Sequence, residues 1–278
     1  MDMLKKDSLK LIFLGGKGGV GKTTCATSTA LYLAKDHKTL LISTDPAHSL
    51  YDSLGIQTKT ENEICPISNL MSEDLKKYKE LKNLSIYEIS AEKSLKQFKI
   101  EYEDEIKKIM DTSSYLDNED MDSVFSLPIP GIDEVMAKMR WKYRYMVTSF
   151  SGKYKPDKGD DFLFIMKKTV KKIESILKNS DLCEFIAVTI PEHMAIMETE
   201  RLIKSLGKYG IKVKQLIINN VMESEDCSFC RQRKEAQQKY IKQIYEKFDT
   251  LQITEIPLQP GEVKGLDAIH NFKKVLFK

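Results

Sequence analysis

The stretch Gly15-Gly16-Lys17-Gly18-Gly19-Val20-Gly21-Lys22-Thr23-Thr24 constrains the fold of this chain more than any other. An apolar run, Leu11 to Leu14, precedes it, and Cys25 to Ala34 follows with the composition of a helix. Strand, glycine loop and helix are the setting in which G-x-x-x-x-G-K-T forms a P-loop. The glycines let successive N–H groups turn toward one point, and the helix N-terminus adds partial positive charge there. The loop residues Gly16, Gly18, Gly19, Val20, Gly21 and Thr24 are thus expected to cradle phosphate oxygens. Lys22 is expected to reach the β- and γ-phosphates, and the Thr23 hydroxyl to ligate Mg²⁺. A second lysine, Lys17, lies inside the loop, which a simple phosphate cradle does not need.

Composition narrows the class. With 278 residues, the chain is one large domain or one domain with an insertion. Lys and Arg number 44 against 41 Asp and Glu, so no bulk nucleic-acid binding is expected. The basic aromatic run Arg140-Trp141-Lys142-Tyr143-Arg144 is too isolated to change that. No apolar stretch reaches membrane-spanning length, and MDMLKKDSLK lacks the apolar core of a signal peptide. Five cysteines, an odd number in a large chain, suggest a reducing compartment.

A second strand, Thr39 to Thr44, runs into Asp45-Pro46-Ala47-His48-Ser49-Leu50. An acidic residue at the carboxyl end of such a strand sits where open α/β sheets bind ligands. Further strands are read at Asn83–Ile89, Cys183–Ile190, Val213–Asn219 and Thr250–Ile256, with helices at 91–110, 167–177, 194–206 and 231–248. Residues 61–82 read as irregular or short-helical. Cys227-Ser228-Phe229-Cys230 precedes the last of those helices. Two thiolates at this spacing are half of a tetrahedral zinc site, which a two-fold axis would complete, or a redox pair at a helix N-terminus. Half of the twelve methionines fall between Met110 and Met166. That pattern suits a surface accepting varied apolar ligands, and equally an ordinary core.

Together GGKGGVGKTT, STDPAHSL, LPIPGIDE, IPEHMAIMETERL, INN, CSFC and PLQPGEVKGL resemble, in order, the Get/TRC-type tail-anchored-protein targeting ATPases. These belong with the arsenite-pump ATPases among the deviant Walker P-loop proteins. The resemblance implies a doubly wound, mostly parallel α/β sheet, with residues 1–90 and 183–278 binding nucleotide. Residues 91–182 would form an inserted helical client-binding subdomain. It implies that Lys17 crosses a dimer interface to the partner's nucleotide and that Asp45 positions the attacking water. Glu192, Asn219 and the loop Pro257-Leu258-Gln259-Pro260-Gly261-Glu262-Val263-Lys264 would contact ATP, Asn219 at the adenine. Cys227 and Cys230 would share Zn²⁺ across the dimer, and Met110, Met136, Met139, Met146 and Met166 would line a client groove. The implied protein is a cytoplasmic ATPase, transiently at the membrane. Its partners would be a second copy of itself, tail-anchored clients and a membrane receptor. An arsenite-pump ATPase is the alternative, and a ParA/MinD-like positioning protein a third. The last would need a terminal membrane helix, for which Asn271 to Lys278 is short.

The chain departs from the family at one place. The family carries, soon after PGIDE, a buried strand ending in aspartate and a second switch close to DTAPTGHT. No apolar strand ending in Asp occurs between Met136 and Val170. If the chain is continuous there, the sheet is expected to lack a central strand and hydrolysis is put in doubt; a gap near Val135–Arg140 is favoured over a deletion, because a sheet without a core strand leaves buried backbone groups unpaired.

Overall fold

A computed structural model describes residues 8–44, 49–57, 60–70, 78–90, 93–94, 96–97, 100–101, 145, 148–149, 153, 155–156 and 158–278. The chain divides into two compact units, Met1–Ala91 with Ile176–Lys278, and Glu92–Ser175.

The first unit is α/β. Strands β1 (Leu11–Gly15), β5 (Cys183–Thr189), β6 (Val213–Val221) and β7 (Gln252–Pro257) form a parallel sheet in the order β1-β5-β6-β7. A second sheet has the order β2-β4-β3, from β2 (Thr39–Ser43), β4 (Leu84–Glu88) and β3 (Cys65–Pro66). There β2 and β4 are parallel and the two-residue β3 pairs antiparallel. One sheet was expected; among the described residues there are two, and no strand joins β1 to β2. The exposed side chains mark the opening. Leu11 and Phe13 of β1 are 37% and 40% exposed, and Leu40 and Ile42 of β2 are 42% and 49% exposed. Their alternate neighbours turn to the cores, as the period of two requires. The stretch where the missing strand is expected lies almost wholly outside the described residues.

Helices α1 (Lys22–Leu33), α2 (Ser49–Leu54), α4 (His193–Lys208), α5 (Ser228–Lys247) and α6 (Leu266–Leu276) pack on these sheets, while α3 (Lys158–Lys178) leads into β5. β5 is buried at every position but Phe185, the near-continuous apolar run of a strand covered on both faces. Ala187, Ile196, Leu216, Ile218 and Ile244 form the core beneath α4 and α5. On the opposite face Val20, Cys25, Ile186, Val188, Ile217 and Ile256 form a second core. Leu31, Leu41, Leu50, Tyr51 and Ile86 form a third between α1, α2 and β4. Helix α6 closes two of them, with Leu266 and Ile269 in the third core and Phe272 and Leu276 in the second. Asn271 to Lys278 is therefore mostly the end of a packed helix, whose apolar face points inward.

Two helix starts and one irregular stretch differ most from the sequence reading. Helix α3 begins at Lys158, earlier than Lys167, with Asp160 and Asp161 in its first turn, where carboxylates favour the helix. Helix α5 begins at Ser228, because the Cys227 sulfur accepts a hydrogen bond from the Cys230 N–H and caps it. Residues 61–82 hold two 3₁₀ turns, Ile67–Asn69 and Lys79–Asn83, and the unforeseen strand β3. No described helix is long and apolar enough to cross a membrane.

Candidate nucleotide site

The P-loop joins β1 to α1. Its last glycine, Gly21, caps α1 at φ 94°, a left-handed conformation that costs any other residue energy. A Cβ on Gly21 would also stand 2.3 Å from Asn219 Nδ2. That amide donates to the Val20 carbonyl at 3.0 Å, so the end of β6 clamps the loop. Gly16 has the same lack of room, since a Cβ there would lie 2.1 Å from the Val188 carbonyl of β5. Lys22 Nζ donates to the Lys17 carbonyl at 2.9 Å, which folds its ammonium back over the loop. Thr23, half-buried, starts α1 beside it, and Thr27 Oγ1 bonds back to the Thr23 carbonyl.

A cleft of about 400 Å³ opens next to this loop. Gly21, Thr23 and Thr24 line one side, Asn219 and Asn220 the end of β6, and Leu258, Gln259 and Gly261 to Lys264 the loop after β7. The structure thus brings together the P-loop end, the strand-end asparagine and the loop that the sequence reading placed on a nucleotide. Gly16, Lys17, Gly18, Gly19, Val20, Lys22, Pro257 and Pro260 are not among the lining residues. Glu192 is exposed at the start of α4 and also stands outside the cleft. Asp45, Met110, Met136, Met139 and Met146 lie outside the described residues. Met166 is half-buried on α3.

Sequence reasoning missed four side chains of the cleft: Asp52 and Ser53 on α2, Asn220 at the end of β6, and Phe272 on α6. The signal for the first two was present. With Leu50, Tyr51 and Leu54 turned to the core, positions 52 and 53 take the remaining face of a short helix. Two polar atoms here are buried without a hydrogen-bond partner in the structure, Asn219 Oδ1 and Ser53 Oγ. Buried polar atoms of this kind need an explanation, and a bound ligand is one.

Lys17 reaches out of the loop, its ammonium 4.0 Å from the Glu198 carboxylate of α4. Farther along, the sulfurs of Cys227 and Cys230 lie 2.8 Å apart at the start of α5. The hydrogen bond between the thiols lowers the Cys227 pKa, helped by the Cys230 N–H, and raises that of Cys230. Cys25, by contrast, is buried, and burial pushes its thiol up to about 12. Among the described residues no group of three or more His, Cys, Asp or Glu side chains could hold a metal within one chain.

A parallel sheet, a glycine loop closed by Lys22 and a cleft between that loop and the ends of β6 and β7 define a P-loop nucleotide-binding protein. The sequence profile of the anion-transporting ATPases matches residues 9–155 and 148–278, and the chain belongs to that family. It is 30% identical over 312 aligned residues to ATPase ASNA1 homolog 1 of Paramecium tetraurelia, covering 100% of this chain and 95% of that protein. It is 31% identical over 303 residues to the ATPase ASNA1 homolog of Dictyostelium discoideum, covering 100% and 92%. It is 30% identical over 312 residues to ATPase get3 of Schizosaccharomyces japonicus, covering 99% and 94%. These alignments are longer than the 278-residue chain, so the relatives carry internal residues that it lacks. The profile likewise matches in two segments that meet at 148–155.

Proposed function

We propose that this chain is an ATP-hydrolysing homodimeric targeting factor that binds transmembrane segments of tail-anchored proteins and delivers them to a membrane. The observation that carries it is the clamp of Asn219 on the P-loop inside a cleft closed by the loop after β7. One residue there both fixes the phosphate cradle and presents a carbonyl oxygen to a base. In this reading Gly16 to Thr24 hold the phosphates, and Lys22 and Mg²⁺ on Thr23 neutralise their charge. Asp45 positions the attacking water. Asn219 and residues 257–264 hold adenine.

Lys17 acts across the dimer, and Glu192 contacts ATP. Lys17 is partly exposed outside the cleft, where a partner's nucleotide meets it. Cys227 and Cys230 of two chains complete a Cys₄ zinc site. The exposed start of α5 and the lowered Cys227 pKa favour such a ligand set. Residues 1–90 and 183–278 form the nucleotide domain and 91–182 the client-binding part. Ile165, Val170 and Ile173 of α3 are each about half or more exposed, with half-buried Met166 among them. Exposed apolar side chains of this kind suit a receptor for a segment of about 20 apolar residues. Met110, Met136, Met139 and Met146 are the further candidates for that surface. The protein works in the cytoplasm and meets the membrane through a receptor.

The test is client capture. The purified protein competes with aggregation for a tail-anchored substrate, with and without ATP, and arsenite stimulation of the ATPase is assayed on the same sample. ATP-dependent capture is the expected result. Arsenite stimulation lost on cysteine removal, with no capture, overturns the reading in favour of a pump ATPase.

A further inference from the structure

We infer that Asp52 and Ser53 form the sugar wall of the nucleotide cleft and select ribonucleotides over deoxyribonucleotides; this rests on the cleft binding ATP as proposed above. Both residues line the cleft from α2, across from the P-loop end and the β6 terminus. A nucleotide spanning the P-loop and the loop after β7 must place its ribose between them. A ribose offers a vicinal diol, two O–H donors that a carboxylate accepts.

Asp52 and Glu262, the two carboxylates lining the cleft, are both exposed, but Asp52 stands on a tethered helix. The N–H of Leu50, two residues earlier, donates to Oε1 of fully buried Glu88 at 3.3 Å. One residue later the Ser53 carbonyl accepts from the Gly265 N–H at 2.8 Å. Leu50, Tyr51 and Leu54 are sunk in the core. The helix is therefore fastened at both ends, and Asp52 stands on a fixed backbone. Glu262 lies exposed in the loop after β7. Ser53 adds a second observation that points to a ligand: its hydroxyl is buried and has no partner in the structure. The hydroxyl can donate to or accept from the sugar that Asp52 holds.

Gly265 matters to the same geometry. It has φ 81°, and a Cβ on facing Gly55 would lie 3.4 Å from its Cα. The loop over the base and the helix at the sugar are thus joined by backbone in close contact. Sugar binding would fall on the element that directly follows Asp45-Pro46-Ala47-His48.

Calorimetric titration of the full chain with ADP, 2′-deoxy-ADP and 3′-deoxy-ADP in Mg²⁺ tests this without turnover. The parent should bind ADP about 10-fold more tightly than at least one deoxy form, the scale of one hydrogen bond to a charged group. D52A should bind all three equally, at the weaker affinity. S53A should narrow the preference. Equal binding of the three by the parent, or a preference that survives in D52A, overturns the sugar wall and leaves the cleft intact. Failure of the parent to bind any of the three overturns both, and K22A, expected to bind none, marks that outcome. Circular dichroism of D52A and D52N separates loss of fold from loss of the contact, since D52N keeps one acceptor oxygen and should keep part of the preference.

Discussion

Asn219 and Val20 lie 199 positions apart in the chain and are joined by one hydrogen bond, amide to carbonyl, 3.0 Å long. The carboxyl end of one strand thereby fixes the shape of a loop that begins at the end of another. Gly21→Ala would drive a methyl group into that amide and force a left-handed backbone on alanine. A loss of about 2 kcal/mol is expected in urea unfolding, with ADP affinity falling by about 10-fold or more. An unchanged midpoint and affinity would show that the clamp does not hold the loop.

Lys22 and Asp45 should separate binding from chemistry. Lys22→Ala removes the ammonium now folded onto the Lys17 carbonyl, and tight ATP binding should disappear. Asp45→Asn should still bind ATP and turn over about 100-fold more slowly or worse. Equal hydrolysis by the Asp45→Asn protein and the parent would remove Asp45 from the mechanism.

Zinc content and size should change together. About one zinc per two chains is expected for the parent and none for the C227S/C230S variant, which should elute as a smaller species. Elemental analysis with light scattering reads both. A metal-free dimer that survives the double substitution would favour a redox role for the pair.

The C-terminal helix carries a charged cluster whose sign can be worked out. Lys273, only 3% exposed, donates to Glu80 at 2.8 Å. The His270 ring packs tilted against Tyr78, whose hydroxyl bonds Asp267. Burial lowers the His270 pKa below its usual 6.5, and Lys273, Lys274 and Lys35 lower it further against the opposing pull of Glu80. The unfolded chain then takes up its proton first, so stability falls as pH drops below about 6.5. Between pH 7.5 and 5.5 the parent's Tm should fall more than that of His270→Gln. Parallel curves would place the titration elsewhere.

Truncation of the same helix on its inner face should be costly. Ile269 is fully buried against α1 and α2, and Ile269→Ala is expected to cost about 3 kcal/mol in urea unfolding. A cost under about 1 kcal/mol would mean that α6 contributes little to this core.

What the sequence revealed depended on how local the signal was. Gly21, Lys22 and Thr23 announce themselves by spacing, β5 by a near-continuous apolar run, and β6 by the short apolar core Leu216-Ile217-Ile218. The C-terminal helix went unread although Leu266, Ile269, Phe272 and Leu276 recur at helical spacing; what the sequence could not show is that this one stripe is shared between two cores. Asp52 and Ser53 could be read as the outward face of a short helix, but nothing near them in sequence says that the loop after β7 will face them and make them part of the cleft. That closeness comes from Gly265 meeting Ser53, a contact between distant segments. The start of α3 was placed late because Phe164 and Ile165 are exposed, against the usual rule for apolar side chains.

The divided sheet has a consequence for how the chain keeps company with itself. Among the described residues β1 pairs only with β5 and β2 only with β4, and each carries two exposed apolar side chains beside its open edge. An open strand edge is a template for a strand of another molecule, and nothing charged on β1 or β2 guards it. The lifetime of the dissolved chain should therefore shorten with concentration. A single lysine at Ile42 would lengthen it by acting as a gatekeeper on a strand that has none.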